Sequence, residues 1–154
     1  MDQETVDRII SPDLVSLEEP PAEKRAVIEH LLDIAVEAGR VSDREQALED
    51  LLKREEETST GVGKGIGIPH AKTAGATEPT VAFTRSTDGV DFGAPDGKPA
   101  TLLFMILVPE SGSSEHLEIL SSLSRALMND QVREDLHTAE TPKDVTTVLT
   151  NAIT

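Results

Sequence analysis

The chain has 154 residues, with 29 Asp and Glu against 14 Lys and Arg, so its formal net charge is −15. Contacts with nucleic-acid phosphates or anionic lipids need clustered Lys and Arg, so this balance argues against a nucleic-acid-binding or membrane-surface protein. The chain contains no cysteine, which excludes disulfides, thiolate chemistry and zinc sites built from cysteine.

The first residues, Met1-Asp2-Gln3-Glu4, are acidic and lack an apolar run, so no secretory leader is predicted. The longest apolar stretch, residues 102–108, is too short to span a bilayer. We therefore expect a cytoplasmic protein without direct membrane insertion. Residues up to about Asp13 are expected to be loosely ordered.

An αα-hairpin is predicted to follow this opening segment. Apolar residues recur at helical spacing over residues 22–38, and Gly39 is a natural helix stop. Ser42 with Glu45 three residues later has the pattern of a capping box, so a second helix is predicted from there to about Arg54.

The middle of the chain is rich in Gly, Pro and β-branched residues, which favours strands. Strands are predicted over residues 65–68, 80–85 and 100–108, with turns at 87–89 and 95–97. The strand at 100–108 is almost continuously apolar, as is typical of a central strand buried on both faces.

Helices are predicted again after this strand. Ser113 or Ser114 is a candidate cap for a helix through Leu127, a short helix should cover residues 131–136, and Thr141-Pro142 should start the last helix. The order of helices, strands and helices predicts one α/β domain over residues 1–154. Its sheet should be covered by helices on both faces.

Residues 58–70 form a glycine-rich segment, Thr-Ser-Thr-Gly-Val-Gly-Lys-Gly-Ile-Gly-Ile-Pro-His. It is not a P-loop, because Thr58 stands where the first Gly is needed and Gly65 follows Lys64. It is not a dinucleotide-binding loop either, because Ile66 replaces the third Gly. The residues alone leave two alternatives: a structural turn leading into a strand, or a backbone segment that approaches a ligand closely.

Three side chains near this segment or after it are candidates for chemistry. His70 lies near the predicted end of a strand, and a neutral imidazole can accept a phosphoryl group and pass it on. His116 is predicted at a helix N-terminus, where backbone N–H groups favour anions, and Arg54 ends the second helix. Each residue by itself also has an ordinary structural explanation, as an exposed histidine, a polar first-turn residue and a helix C-terminal cation.

Together these residues resemble a known family. Arg54-Glu55 followed by residues 59–70 resembles the pattern R-E-x(3)-S-T-G-[IV]-G-x-G-I-[AG]-I-P-H of enzyme IIA domains of the fructose, mannitol and nitrogen-regulatory type. Residues 116–123 resemble that family's second-histidine helix. Gly67 stands where Ala is commoner, and family members are usually less acidic. The resemblance implies a mixed sheet of about five strands between helices.

The resemblance also implies an activity, that of a phosphotransferase with a phosphohistidine intermediate. His70 would take a phosphoryl group from the phosphocarrier HPr and give it to a cysteine of enzyme IIB, which works with IIC in uptake of a sugar, fructose by family frequency. His116 and Arg54 would stabilise the transferred group. Phosphate-binding roles would fall to Thr60, Gly61 and Gly63, without metal or other cofactor.

Two alternatives remain open at this point. A nitrogen-type regulatory enzyme IIA would have nearly the same sequence but would signal through its phosphorylation state. A binding module without phosphotransfer is disfavoured, because His70, His116 and Arg54 are all present. The acidic surface suits a high-salt cytoplasm, so a halophilic host is favoured over an ordinary acidic protein.

Overall fold

A computed structural model describes residues 3–111 and 115–153, without the side chains of Glu115 and His116. The described helices are α1 (Gln3–Ile9), α2 (Lys24–Glu37), α3 (Arg44–Glu57), α4 (Glu115–Leu127), α5 (Asp130–Thr138) and α6 (Pro142–Ile153), with a 3-10 turn at Pro12–Leu14. The described strands are β1 (Gly61–Gly63), β2 (Ile66–Gly67), β3 (His70–Thr73), β4 (Thr80–Val90) and β5 (Ala100–Pro109). None of these helices is both long enough and apolar enough to cross a membrane.

Strand β5 is the centre of the sheet. It pairs antiparallel with β4 and parallel with both β2 and β3, while β1 adds antiparallel to β2. Ile66 is in register with Leu102, and His70 is in register with Ile106, so β2 and β3 keep one alignment along β5. They lie end to end beside β5 and form one strand line, residues 66–73, which is interrupted at Ile68-Pro69. The predicted mixed five-stranded sheet is confirmed.

Side chains of β5 alternate between two apolar cores, as the two-residue period of a strand requires. Leu102, Phe104 and Ile106 pack in a core that includes residues of α1, α4, α5 and α6. Leu103, Met105 and Leu107 pack in a second core with α2 and α3. The prediction of a central strand buried on both faces, and of helices on both sides of the sheet, is confirmed.

The predicted helices are largely confirmed, and the α6 cap is the clearest case. Thr141 Oγ1 accepts the Asp144 N–H at 3.1 Å, and the Asp144 carboxylate accepts the Thr141 N–H at 3.2 Å. Reciprocal bonds of this kind satisfy backbone donors that the helix start leaves open. The predicted Ser113 or Ser114 cap of α4 lies outside the described residues.

The predicted start and end of α3 are wrong. Asp43 is the N-cap, since its carboxylate accepts the Gln46 N–H at 3.1 Å. The Ser42 hydroxyl is instead near the Gly75 carbonyl, at 3.3 Å. The helix also continues three residues beyond Arg54, to Glu57. A carboxylate adjacent to the expected serine therefore caps the helix.

The expectation that residues up to Asp13 are loosely ordered is wrong for the described part of that segment. Val6, Ile9 and Ile10 recur at helical spacing and are buried in the same core as α4 and α6. Burying this apolar face is what holds α1 to the domain.

Of the two predicted turns, only the second is confirmed. Residues 87–89 belong to β4, whose register with β5 is irregular between Arg85 and Val90. Gly89 has a φ of +89°. The turn-like sequence of residues 87–89 therefore marks an irregularity within β4 and not a reversal of the chain. At residues 95–97 the Gly97 N–H donates to the Ala94 carbonyl at 3.0 Å, which closes the expected turn.

Candidate functional site

His70 begins a strand, β3, whereas the sequence placed it near the end of the strand predicted over residues 65–68. The preceding Ile68-Pro69 interrupts the strand line, because proline has no N–H to give to a ladder. In-register neighbours point to the same face of a sheet, so the His70 side chain shares the face of Ile106, which α4 covers. Only 7% of His70 is exposed, so its ring is held in a mostly dry position.

The orientation of the His70 ring defines its tautomer. Nδ1 lies 2.6 Å from the backbone carbonyl oxygen of Ile68. A carbonyl only accepts hydrogen bonds, so Nδ1 carries the hydrogen in the neutral ring and Nε2 carries the lone pair. This contact leaves Nε2 as the ring atom able to act as a nucleophile.

Burial lowers the pKa of His70 below its usual value, and the Arg54 cation adds to that decrease. The hydrogen bond to Ile68 and the charge of Glu55 act in the opposite direction on the pKa and do not overcome burial. The dry position disfavours the charged imidazolium. The ring is therefore kept neutral, as a nucleophile requires.

We expect the His70 imidazole to titrate below the ordinary histidine pKa of about 6.5. For the phosphoryl acceptance that the family resemblance implies, the rate should hold as the pH falls from 7 to about 6.5. It should decline only through the lowered pKa, because imidazolium has no free lone pair at Nε2. The unfolded chain binds this proton more readily, so the protein should also lose stability as the pH falls below about 6.5. A side-chain ¹⁵N NMR titration measures the midpoint.

The substitution Arg54→Ala should raise the His70 pKa, because it removes a cation that opposes protonation. Lys53→Ala, which removes the neighbouring cation of α3, is the matched control and should move the midpoint less. A wild-type midpoint at or above the ordinary histidine value would contradict the burial argument.

An open cleft of about 440 Å³ lies between α3, β3 and the first turn of α4. Its lining contains both acidic and basic side chains, with the basic ones in excess, although the chain has a net charge of −15. The lining residues are Asp50, Lys53, Arg54, Glu57, Ala71, Lys72 and Leu117. Arg54 is exposed on α3, and its charge acts on His70. Arg54 is therefore close enough for its charge to act on the His70 imidazole. The predicted role of the two residues in one site stays a prediction.

His116 is the second residue of α4, and its side chain lies outside the described part of the chain. The next residue, Leu117, is 68% exposed and lines the cleft together with Arg54. The first turn of α4 is thus at the cleft. The role of the His116 side chain stays a prediction.

Thr60 directs both of its hydrogen-bond donors at the buried carboxylate of Glu55. Its N–H donates to Glu55 Oε2 at 2.8 Å, and its hydroxyl donates to Oε1 at 2.5 Å. A phosphate-binding role for Thr60, as predicted, would require it to exchange this carboxylate for the phosphate. In the described arrangement Thr60 is a residue that fixes the segment leading to His70.

Glu55 was not predicted as a site residue, although its position in α3 carries a signal. Ala47, Leu51 and Glu55 follow one another at four-residue spacing and are the buried residues of α3. An acidic residue at a core position of a helix needs a partner. Lys24 also was not singled out, and its Nζ lies 2.7 Å from Glu55 Oε2.

The two glycines predicted to bind phosphate lie at different distances from His70. Gly61 pairs with Gly67. A Cβ added at Gly61 would lie 2.9 Å from backbone atoms of Phe92 and Ala94.

Gly63 is opposite Ile66. Ile66 is four residues from His70 along the strand line, or about 13 Å at 3.3 Å per residue. Gly63 has a φ of +93° and lies beside Asp96. The structure therefore does not bring Gly63 to His70, and both phosphate roles stay predictions.

Among the side chains that the structure describes, the site shows no cluster of metal-binding residues. Within residues 3–111 and 115–153, no group of three or more His, Asp or Glu side chains could hold a metal ion. What the described residues present is a neutral histidine, an arginine whose charge acts on it, and a cleft lined by that arginine.

The fold and site define an α/β sandwich with a buried histidine at the start of β3. A cleft lined by Arg54, Lys53 and Lys72 lies between α3 and the adjacent residues of β3. Residues 8–152 match the family described as phosphoenolpyruvate-dependent sugar phosphotransferase system, EIIA 2. A fructose-specific EIIA component from Haloferax volcanii is 58% identical over 153 residues, or 99% of each chain. A fructose-specific EIIABC component from Bacillus subtilis is 42% identical over 135 residues, which are 88% of this chain and 21% of that protein.

The solved structures give the same result. The crystal structure of the nitrogen regulatory protein IIA-Ntr from Neisseria meningitidis matches with a TM-score of 0.82 and 34% identity, covering 94% of this chain and 99% of that one. The protein belongs to the EIIA type 2 family of the sugar phosphotransferase system, a family of phosphoryl carriers. The family resemblance noted in the sequence is confirmed.

Proposed function

We propose that this protein is a cytoplasmic phosphoryl carrier for sugar uptake. His70 Nε2 attacks the phosphorus of phosphorylated HPr; a nitrogen–phosphorus bond forms as the bond to the donor breaks. The phosphoryl group then moves to a cysteine of enzyme IIB, which works with IIC to take up a sugar, in our proposal fructose. The observation that carries this proposal is the 2.6 Å contact of Nδ1 with Ile68, which leaves the lone pair on Nε2.

The supporting residues act on the charge of the transferred group. Phosphoryl transfer places negative charge on the equatorial oxygens, so catalysis consists mainly of positioning and charge stabilisation. Arg54 neutralises part of this charge from the rim of the cleft, and His116 donates a hydrogen bond from the start of α4. Thr60, Gly61 and Gly63 shape the segment that leads to the histidine.

The cleft supports docking of HPr and enzyme IIB at the same place. Leu117 supplies an exposed apolar contact, and Lys53 supplies a cation in a chain with excess acid. The Bacillus subtilis relative, an EIIABC component, supports a functional link with IIB and IIC. The fructose-specific relative from Haloferax volcanii, 58% identical over nearly its whole length, supports fructose as the sugar.

The direct test uses the purified full chain and phosphorylated HPr from the same organism. We expect the chain to gain one phosphoryl group, detected by mass spectrometry, that is labile in acid and stable in alkali. Adding the cognate IIB should discharge the labelled chain. Failure to gain the group from HPr under conditions that label another EIIA protein would overturn the proposal.

A second candidate is regulation through the phosphorylation state, favoured by the match to the nitrogen regulatory protein from Neisseria meningitidis. Both candidates use the same phosphorylated His70, so labelling does not separate them. Discharge by IIB separates them, because transport requires fast transfer of the phosphoryl group to IIB and signalling through the phosphorylation state does not. A labelled chain that keeps its phosphoryl group in the presence of every IIB of the organism would favour regulation.

We further propose that the acidic surface is adapted to high salt. At a net charge of −15, self-repulsion destabilises the compact state when salt is low. The Debye length falls from about 30 Å at 0.01 M salt to about 3 Å at 1 M, so molar KCl screens this repulsion. The melting temperature, followed by circular dichroism, should rise markedly between these two KCl concentrations.

The control for this experiment is the same salt series near the isoelectric pH of about 4.5, where the net charge approaches zero. The salt-dependent gain in melting temperature should largely disappear there. Association with an acidic partner at neutral pH should also become faster with salt, the reverse of ordinary electrostatic steering. A melting temperature that is flat across the neutral series would remove the proposed adaptation and leave phosphotransfer unaffected.

A further inference from the structure

A continuous set of contacts joins helix α2 to the His70 ring. Lys24 Nζ lies 2.7 Å from Glu55 Oε2, and the same carboxylate accepts both donors of Thr60. The Thr60 carbonyl in turn accepts the Ile68 N–H at 3.0 Å. The Ile68 carbonyl accepts the Nδ1 hydrogen of His70 at 2.6 Å. Each group in this series holds the next one toward the imidazole.

We propose that Glu55 is a positioning residue that sets the orientation and tautomer of the His70 imidazole. It acts through Thr60 and Ile68 and touches neither the phosphoryl group nor a partner. The proposal rests on His70 being the phosphoryl acceptor, and it adds a residue to which the sequence analysis gave no role.

The position of Glu55 is costly unless its carboxylate has partners. Glu55 is only 9% exposed, and a buried carboxylate needs both hydrogen bonds and a counter-charge. Thr60 supplies two hydrogen bonds, and Lys24 supplies the counter-charge. Lys24 also lies over the Phe92 ring, 5.1 Å from its centroid, which restrains the cation.

The Glu55–Thr60 clamp acts where the chain most needs support. The strand line is interrupted at Ile68-Pro69, and Pro69 has no N–H to contribute to the ladder. The Ile68 N–H instead bonds to the Thr60 carbonyl, so the position of Thr60 determines where the Ile68 peptide lies. Because Glu55 holds Thr60 at both its N–H and its hydroxyl, it restrains the backbone of Ile68, whose carbonyl binds the imidazole.

Lys24 has a second consequence for the site. Burial lowers the pKa of His70, and the charge of Glu55 makes a small opposing contribution. An uncompensated carboxylate would also repel an incoming phosphoryl dianion. The ion pair with Lys24 reduces this repulsion while leaving the carboxylate oxygens available to Thr60.

The test compares Glu55→Ala, Glu55→Gln and the control Glu49→Ala, which removes an exposed acidic residue of the same helix. Glu55→Ala should lower the rate constant for phosphorylation by phosphorylated HPr about 10²-fold, the effect expected of a misplaced reacting group. The KM for HPr should change little, because Glu55 is buried away from the partner. The Gln side chain keeps an oxygen that can accept the Thr60 N–H and gains an N–H that can donate to the Thr60 hydroxyl. Glu55→Gln should therefore retain much of the wild-type rate.

The readout specific to positioning is the ¹⁵N NMR spectrum of His70 in the unphosphorylated full chain. The wild type, Glu55→Gln and Glu49→Ala should show the Nδ1–H tautomer, and Glu55→Ala should show a mixture of the two tautomers. Circular dichroism confirms that each variant is folded. A folded Glu55→Ala that keeps the single Nδ1–H tautomer overturns the proposal. This readout does not depend on labelling by HPr. Failure of HPr to label any form, including the wild type, would overturn the proposed function and not the positioning role of Glu55.

Discussion

Replacing His70 with Ala or Gln is expected to abolish the acid-labile phosphorylated form of the protein completely. His70 is the residue whose Nε2 lone pair is set by a hydrogen bond at the other ring nitrogen. Neither Ala nor a Gln amide offers a nitrogen nucleophile at neutral pH. The measurement is incorporation of phosphoryl group from labelled HPr, followed by peptide mapping in the wild type.

Two features make this experiment decisive. Gln roughly preserves the volume of the buried imidazole, so loss of labelling in His70→Gln does not come from a cavity. His137→Ala is the matched control, because His137 is exposed on α5 and its Nε2 contacts Thr101 Oγ1 at 2.9 Å. Labelling that persists at the wild-type rate in both His70 variants would show that another residue is the acceptor.

The fold was predictable wherever periodic apolar residues decide the structure. The all-apolar run of β5 indicated its central place, and helices α2, α4, α5 and α6 follow apolar residues at helical spacing. Short strands were not predictable in the same way. β1 and β2 have three and two residues, respectively, and contain three glycines, so their pairing with each other and with β5 decides their conformation.

The candidate site was predicted only in part, for a physical reason. His70, His116 and Arg54 belong to a recognisable motif and are of residue types suited to phosphoryl transfer, so the sequence alone singles them out as candidates. Glu55 stands in the same motif, but its type does not reveal what it contacts. Glu55 and Lys24 are 31 residues apart and lie on different helices, and their relation exists only after α2 and α3 pack. The same holds for the different positions of Gly61 and Gly63, which follow from strand register rather than from the motif.

Replacing Arg54 with Ala is expected to slow phosphoryl transfer to and from His70 about 10²–10³-fold, the usual cost of losing one preorganised charge-stabilising donor. Arg54 lies in the last turn of α3 and lines the cleft, and its charge acts on His70. The variant should still bind HPr, because the exposed Leu117 contact remains. Rapid-quench measurements of phosphoryl transfer in both directions, with KM determined separately, provide the test.

Comparison with two other variants separates a directed contact from a general field of positive charge. Lys53→Ala removes the adjacent cation of the same cleft and should cost much less, and Arg54→Lys should lie between, since ammonium lacks the planar fork of guanidinium. Arg54 is exposed, so a purely long-range effect would fade at 1 M KCl, where the Debye length is about 3 Å. A loss that persists at molar salt identifies a direct contact with the phosphoryl oxygens. Equal losses in Arg54→Ala and Lys53→Ala, both removed by salt, would show that Arg54 contributes only bulk charge.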